Sequence, residues 1–433
     1  MEDLQKVIGS DGFRRAYRQR EQDFWRHRVL SFVGLVVSQI NLMSRSLSVE
    51  VSRFVERFLG PGLDYSKQAF SQCRRKLQAE AFTALRQRLV AGFYADGEYR
   101  KWQGYLLLAL DATALQLPES PDLAATFGLA ENKGKTMPMV RASLLYDVEN
   151  ELVVDALLED YRTGEREMAH QHINCLSRLA VAGPCLLLLD RGYPSLWLIA
   201  QLQGGRVQSQ QLEFVMRCSE HFLPEVSAFA QQPAREALLE LDLRRGSRLR
   251  SDKLRPFLFP GQTSLQVRCV KVALPGGKTE YLLTSLRDME VSCLGRLYHK
   301  RWGVETGIDF AKNALQLENF SARTVLGVRQ DFEAHMLAVN LSALLVADAQ
   351  QQVEAEQAPK HNKHRYKVNR AVALGLVKNN LAALLLGKEP LEQLYDRLLE
   401  KIKKRQEALK PGRSYPRTRK LHYKFNSNKR SVL

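Results

Sequence analysis

The chain is 433 residues long, enough to bury a full core and to divide into two to four domains or subdomains. Lysine and arginine number 64 against 47 acids, a formal charge of +17 with a pI near 9.6, and this favours a polyanionic partner, nucleic acid or an anionic membrane surface. The most apolar stretches, Val29 to Met43 and Met336 to Ala347, are shorter than a bilayer span and are interrupted by Ser, Asn, Gln or Gly, which argues against a membrane protein.

In chain order, the first hundred residues are predicted to be helical. They begin with Glu2 and Asp3 and show no apolar core followed by a cleavage site, so a secretion signal is not expected. Ser46 to Phe58 and Ser66 to Leu77 are two amphipathic pieces joined by Leu59-Gly-Pro-Gly-Leu63, a helix-turn-helix-like arrangement. The second piece carries Lys67, Arg74, Arg75 and Lys76. It either enters a major groove, with Arg74 and Arg75 as DNA contacts, or is a solvated basic helix.

From residue 105 the pattern turns to strands. Tyr105 to Leu110 is a continuous apolar run ended by Asp111, and the turn Val148-Glu149-Asn150 sets up Val140 to Tyr146 and Leu152 to Leu158 as a hairpin. Gly128 to Thr136 imitates a phosphate-binding loop, but five residues separate its glycines where four are required, so it reads as a loop before a strand. Glu165 to Leu179 follows as a helix. Cys185 to Leu189 is a strand ended by Asp190, after which Arg191-Gly192-Tyr193-Pro194 turns the chain away. Strands apolar throughout are covered on both faces, and ligand sites in open α/β sheets cluster beyond strand ends.

About 115 residues then separate Asp190 from Glu305. Within them Glu213 to Arg217, Ala237 to Leu243, Leu265 to Val272 and Glu280 to Ser285 have strand character, so 210–286 reads as a β-rich insertion. A single helix is predicted next, bearing Tyr298, Arg301, Glu305 and Lys312 at spacings of 3, 4 and 7 residues. Those spacings gather the four within an arc of roughly 60°, beside an apolar arc of Leu297, Val304, Ile308 and Leu315. Two cations and a phenol around a carboxylate suit a phosphodiester; with Asp111 and Asp190 the set points to an oxygen-ligand site for Mg²⁺ or Mn²⁺. Phe332 to Ala347, Ala371 to Leu386 and Leu391 to Glu407 are further helices. From residue 401 onward twelve cations stand against Glu407, eleven of the seventeen net positive charges, either a DNA-tracking tail or a solvated end. The six cysteines are scattered with no C-x2-C pair and read as reduced thiols of a cytoplasmic protein.

Tyr-x2-Arg-x3-Glu-x6-Lys, matched without a gap from Tyr298 to Lys312, resembles the signature of bacterial insertion-sequence transposases of the DDE class, the IS-four or YREK group. Asp111-Ala-Thr with Leu117-Pro118 is similar to that family's Asp-Gly-Thr followed by Leu-Pro, with Ala in place of Gly, and Asp190-Arg-Gly-Tyr reproduces its second acidic motif. The resemblance covers roughly residues 40 to 430. It implies an α/β fold, a ribonuclease-H-like catalytic core interrupted by a β-rich insertion, with helical N- and C-terminal regions; periodicity alone gives only mixed α/β.

The division expected is a DNA-binding helical region 1–100, core 101–209, insertion 210–286, core with the catalytic helix 287–350, and a helical C-terminal region with its basic tail 351–433. Asp111, Asp190 and Glu305 would be the catalytic acids and hold two Mg²⁺ or Mn²⁺ ions, while Tyr298, Arg301, Lys312 and Arg191 would contact DNA. The reaction implied is cleavage at element ends and strand transfer of the 3′-hydroxyls, with double-stranded DNA (terminal inverted repeats and target) and a second copy of the chain as partners, in the bacterial cytoplasm. In relatives a hairpin intermediate and, in some, an insertion aromatic that stabilises a flipped base occur; all four tryptophans lie outside the insertion here, and whether Phe222, Phe257 or Phe259 substitutes is left open by the sequence. A metal-dependent nuclease or resolvase without strand transfer, and a non-catalytic DNA-binding descendant, remain the alternatives.

Overall fold

The computed structural model describes residues 1–26, 29–41, 46–132, 134–176, 183–204, 212–245, 252–274, 277–360 and 363–409. Most of the basic tail, from Lys410 on, therefore lies outside the described residues. Six helices precede the first strand: α1 (Glu2–Ile8), α2 (Asp11–Tyr17), α3 (Phe32–Asn41), α4 (Leu47–Phe54, running into a π turn Val55–Leu59), α5 (Lys67–Arg74) and α6 (Glu80–Tyr94). The helical reading of this region holds. Ser66 starts α5 because its side chain accepts the Ala69 N–H, satisfying one of the donors a helix start leaves open.

The sheet is built from β1 (Leu106–Gln116), then after α7 (Pro121–Phe127) from β2 (Leu129–Asn132), β3 (Lys135–Asp147) and β4 (Leu152–Asp160). It continues through α8 (Glu165–Leu176), β5 (Cys185–Leu189), α9 (Leu196–Gly204), β6 (Leu212–Cys218), α10 (Pro224–Ala230), β7 (Glu236–Asp242), β8 (Ser264–Ala273) and β9 (Thr279–Thr284). The order is β2-β3-β1-β5-β6-β9-β8-β7, with β4 on the other side of β3. β3 is antiparallel to β1 and β4, whereas β5 and β6 run parallel to β1. The result is a mixed α/β fold whose first five core strands follow the ribonuclease-H-like order.

The β3–β4 hairpin turns where expected. Buried Asp147 ties it down by accepting the N–H groups of Glu149 and Asn150 and the Tyr94 hydroxyl at 2.8 Å. The imitation phosphate loop is the β2–β3 hairpin, with no helix opening from it.

Residues 210–286 do not form a sheet of their own. β6 pairs with β5 as a core strand, and β9, β8 and β7 extend the same sheet antiparallel to it and to one another, so the boundary drawn at 210 falls before a core strand. The physical reason is that a core strand and an inserted strand show the same short apolar run in the sequence, and only pairing separates them.

Beyond the sheet come α11 (Val291–His299), α12 (Trp302–Ala314), α13 (Val325–Gln357), β10 (Arg365–Val368), α14 (Arg370–Leu386), α15 (Leu391–Lys403) and β11 (Gln406–Leu409). α13 has 33 residues, far beyond the predicted Phe332 to Ala347, and 78% of its most apolar window is buried within the protein. It is apolar because it is a core helix, packed against α6, α15, β4 and α3. Buried Arg86 of α6 joins three layers, pairing with Asp155 of β4 at 3.4 Å and Glu333 of α13 at 3.3 Å.

Candidate active site

β1 does not end at Asp111 as predicted. It runs on to Gln116 against β3, while its parallel partner β5 accompanies it only from Leu106 to Ala109. Asp111 thus stands mid-strand at the level where β5 stops. Continuing the Ala109–Leu188 register by two residues sets Asp111 beside Asp190, and continuing Leu189–Met216 by one sets Asp190 beside Arg217. A row of charges, Asp111, Asp190, Arg217, crosses three neighbouring parallel strands at the level where the middle one, β5, ends.

The signature residues approach from the helices. The single helix expected from Tyr298 to Lys312 is broken: Lys300 and Arg301 form a tightened turn between α11 and α12. The N–H groups of Arg301, Gly303 and Val304 bond three residues back instead of four. Tyr298 and Arg301 therefore lie before the break or at the cap of α12, and Glu305 in its first turn. Small residues let α12 settle on the sheet: a Cβ on Gly303 would meet Val148 at 2.9 Å, and one on Gly307 would meet the Tyr146 ring at 2.9 Å.

The Tyr298 ring is buried and its hydroxyl donates to Asp190 Oδ1 at 3.2 Å, so it positions an acid and has no face open for stacking. Arg301 is only 3% exposed and donates from Nη2 to Glu305 Oε1 at 2.6 Å, while its Nε and Nη1 have no hydrogen-bond partner among the described residues. Its charge also reaches both aspartates. Lys312, on the next turns of α12, donates to the Ala114 carbonyl of β1 at 3.0 Å. Burial lowers its pKa, against the pull of Glu318, Asp309 and Asp111.

The three acids differ in their surroundings. Burial pushes the Asp111 carboxyl up to about 6; the Ala112 N–H and Arg301 oppose this, while Glu305 and Glu165 add to it. Burial works against Asp190 too, but the Arg191 N–H, the charges of Arg301 and Arg217 and the Tyr298 hydroxyl outweigh it and hold the carboxyl below its ordinary value. Arg217 pairs with Asp190 at 2.7 Å and with Glu280 at 3.3 Å. Among the described residues Asp111 has no cation in ion-pair contact, though Asp190 and Glu305 each hold an arginine. A half-buried, uncompensated carboxylate among other oxygen donors is the environment a hard divalent cation relieves, so the donor set fits Mg²⁺ or Mn²⁺ in kind. With the arginines seated as they are, no group of three acidic, His or Cys side chains among the described residues stands close enough to hold an ion.

Arg191 is exposed beside the row and reaches Ser219 at 3.3 Å. Arg74 requires correction. It is 3% exposed, and its guanidinium donates to Gln330, Ser321, Gln39, the Gly327 carbonyl and Asp331, so it locks α5 to α13 and is buried out of reach of a base. Arg75, one residue on, is exposed. Of the insertion phenylalanines, Phe222 and Phe257 pack against the core and Phe259 is 63% exposed.

Reading the sequence alone missed Arg217, although it ends an apolar strand run as both aspartates do, and it missed Glu165. A serine, histidine and aspartate in line, Ser143 to His172 at 3.0 Å and His172 to Asp155 at 2.8 Å, have a hydrolytic triad's spacing. His172 is 0% exposed, so no substrate reaches it.

Residues 102–341 match the family described as Transposase DDE domain. The chain is also similar to the transposase InsG for insertion sequence element IS4 of Escherichia coli (strain K12), 25% identical over 283 residues. That match spans 63% of this chain and 59% of InsG, less than two thirds of the relative's length. The solved piggyBac transposase synaptic complex with hairpin DNA aligns over 97% of this chain and 88% of that one, at 13% identity and a TM-score of 0.45, too distant to carry an argument.

Proposed function

Because the chain belongs to the DDE-domain transposases, we propose that it cuts DNA at the ends of an insertion element and joins the freed 3′-hydroxyls to target DNA, using Asp111, Asp190 and Glu305. The observation that carries this reading is convergence on one guanidinium: Arg301 is bonded to Glu305 and its charge is felt by Asp111 and Asp190.

Asp111, Asp190 and Glu305 would hold Mg²⁺ or Mn²⁺, two ions in all. Bound there, the ions lower the pKa of an attacking water or 3′-hydroxyl and stabilise the leaving oxygen. Tyr298 keeps Asp190 oriented. Arg217 and Arg301 neutralise Asp190 and Glu305 in the free protein and carry the charge that a phosphate takes up when DNA arrives. Lys312 fixes α12 to the strand that bears Asp111 and adds a cation at the phosphate path. Arg191, exposed at the rim, and Arg75 at the C-terminal cap of α5 contact the backbone. Two copies of the chain, one for each element end, act together on DNA in the bacterial cytoplasm.

The test uses a duplex carrying one element end, with Mg²⁺, Mn²⁺, Ca²⁺ or EDTA. Nicking is expected with the first two, weak or absent with Ca²⁺ and absent in EDTA. Asp111→Asn, Asp190→Asn and Glu305→Gln should each bind the duplex and fail to nick it. Robust cleavage in EDTA would falsify the reading. Nicking without joining to a target plasmid would reduce the protein to a nuclease.

A further inference from the structure

Of the four acids Asp111, Asp190, Glu305 and Glu165, all but Asp111 are paired with an arginine. Glu165 opens α8 just after β4, and its Oε1 accepts from Arg141 Nη1 at 3.3 Å. Arg141 is itself held by the Tyr161 carbonyl at 3.1 Å, which fixes the pair beside the sheet. The other oxygen faces the segment that follows Asp190: a Cβ built on Gly192 would lie 2.7 Å from Glu165 Oε2. A side chain at this position, two residues after Asp190, would push the Glu165 carboxylate out of its present place.

A second observation is independent of the acids. The Tyr193 side chain is buried, and its hydroxyl has no hydrogen-bond partner among the described residues. The charges that act on it are those of Asp111, Glu165, Asp190 and Arg301, so the hydroxyl is within electrostatic reach of the cluster, and the Tyr193 N–H donates to the Asp190 carbonyl at 3.1 Å. A buried polar atom without a partner is costly, a cost relieved when a ligand or its hydration water supplies the contact. Asp111 senses Glu165 as well as Glu305, so the fourth acid adds to the negative field where no cation stands.

We propose that Glu165 is a fourth carboxylate of the ion site, sharing the divalent cation with Asp111 and Asp190, while Tyr193 bonds the hydration shell. The proposal rests on the metal-dependent reading above. The alternative role for Glu165 is structural, as the partner of Arg141.

Mn²⁺ binding to the DNA-free full chain, measured by titration calorimetry and by the electron paramagnetic resonance of free Mn²⁺, separates the two. Glu165→Gln should weaken binding by about tenfold to a hundredfold, the range found when a group supporting a metal site is removed. Arg141→Gln, which frees the carboxylate of its competitor, should leave affinity unchanged or raise it. Gly192→Ala should also weaken binding, by forcing Glu165 aside, and it carries the test if Glu165→Gln does not fold. Asp111→Asn is the control. Wild-type affinity in Glu165→Gln with loss in Asp111→Asn overturns this inference and leaves the parent reading standing. Equal losses in Glu165→Gln and Arg141→Gln assign Glu165 to the structural pair and overturn it too. Wild-type affinity in Asp111→Asn sinks both.

Discussion

At the scale of single residues, Asp111 costs the fold stability that an ion bound beside it would return. Asp111 has an ordinary pKa of 3.8 and stands at about 6 in the folded chain, chiefly through burial. A carboxylate raised in this way favours the fold while protonated, below pH of about 4, and that contribution is lost as pH rises through about 6. Asp111→Asn removes the loss. In EDTA at pH 7.5 the variant should therefore be more stable than wild type by about 3 kcal/mol, and at pH 4 the difference should shrink to under about 1 kcal/mol. Urea unfolding at both pH values checks this; equal stability at pH 7.5 would show that the carboxylate is already compensated. Arg74 illustrates the opposite case, a charge committed to the fold. Removing it takes the buried cation from Asp331 and a donor from Gln330, so loss of DNA binding in Arg74→Ala would report damaged structure rather than lost base reading.

At the scale of elements, α12 is the lever that brings Glu305 to the sheet, and its distance from β3 is set by Gly307 against Tyr146. Gly307→Ala inserts a methyl where there is no room, an overpacking that costs typically about 1–3 kcal/mol. It should also push Glu305 away from Asp111. The expected outcome is a modest fall in urea midpoint with a much larger fall in the nicking rate under saturating Mn²⁺. A rate loss no greater than the stability loss predicts would mean that α12 tolerates the shift. The tightened turn at Lys300–Arg301 has a related effect, since it rotates Tyr298 relative to Glu305 and lets the phenol serve Asp190 while the guanidinium serves Glu305.

At the scale of the whole molecule, charge is unevenly spread, and the proposed DNA contacts divide between a mildly basic body and a strongly basic end. Truncation after Glu400 would be a poor probe, because Ile402 is fully buried and β11 pairs with β10. Ending the chain after Leu409 keeps both and removes eight cations and no acids. Affinity for any duplex should fall, and the slope of log affinity against log salt should flatten by about 0.9 for each phosphate that the shortened chain no longer neutralises. Unchanged affinity and slope, read by fluorescence anisotropy at several salt concentrations, would leave the tail a solvated end. Preference for element ends over random DNA should survive the truncation.

The sequence by itself determined what local pattern can encode. An apolar run of strand length ended by an acid marked Asp111 and Asp190, because a strand buried on both faces must be apolar until it leaves its partners. The Tyr298-to-Lys312 spacing marked one polar stripe, and the β3–β4 turn was legible from its residues. Tertiary structure decided which charges meet. Arg217 joins Asp190 through strand register, and Glu165 reaches Gly192 across the sheet edge. Arg74 finds Asp331 across 257 positions of chain. Such partners leave no periodic trace: a basic side chain facing the interior and one facing solvent look alike until the packing that surrounds them is known. The break between α11 and α12 is hidden for the same reason, since its residues keep right-handed helical angles and only their hydrogen bonds shorten by one residue.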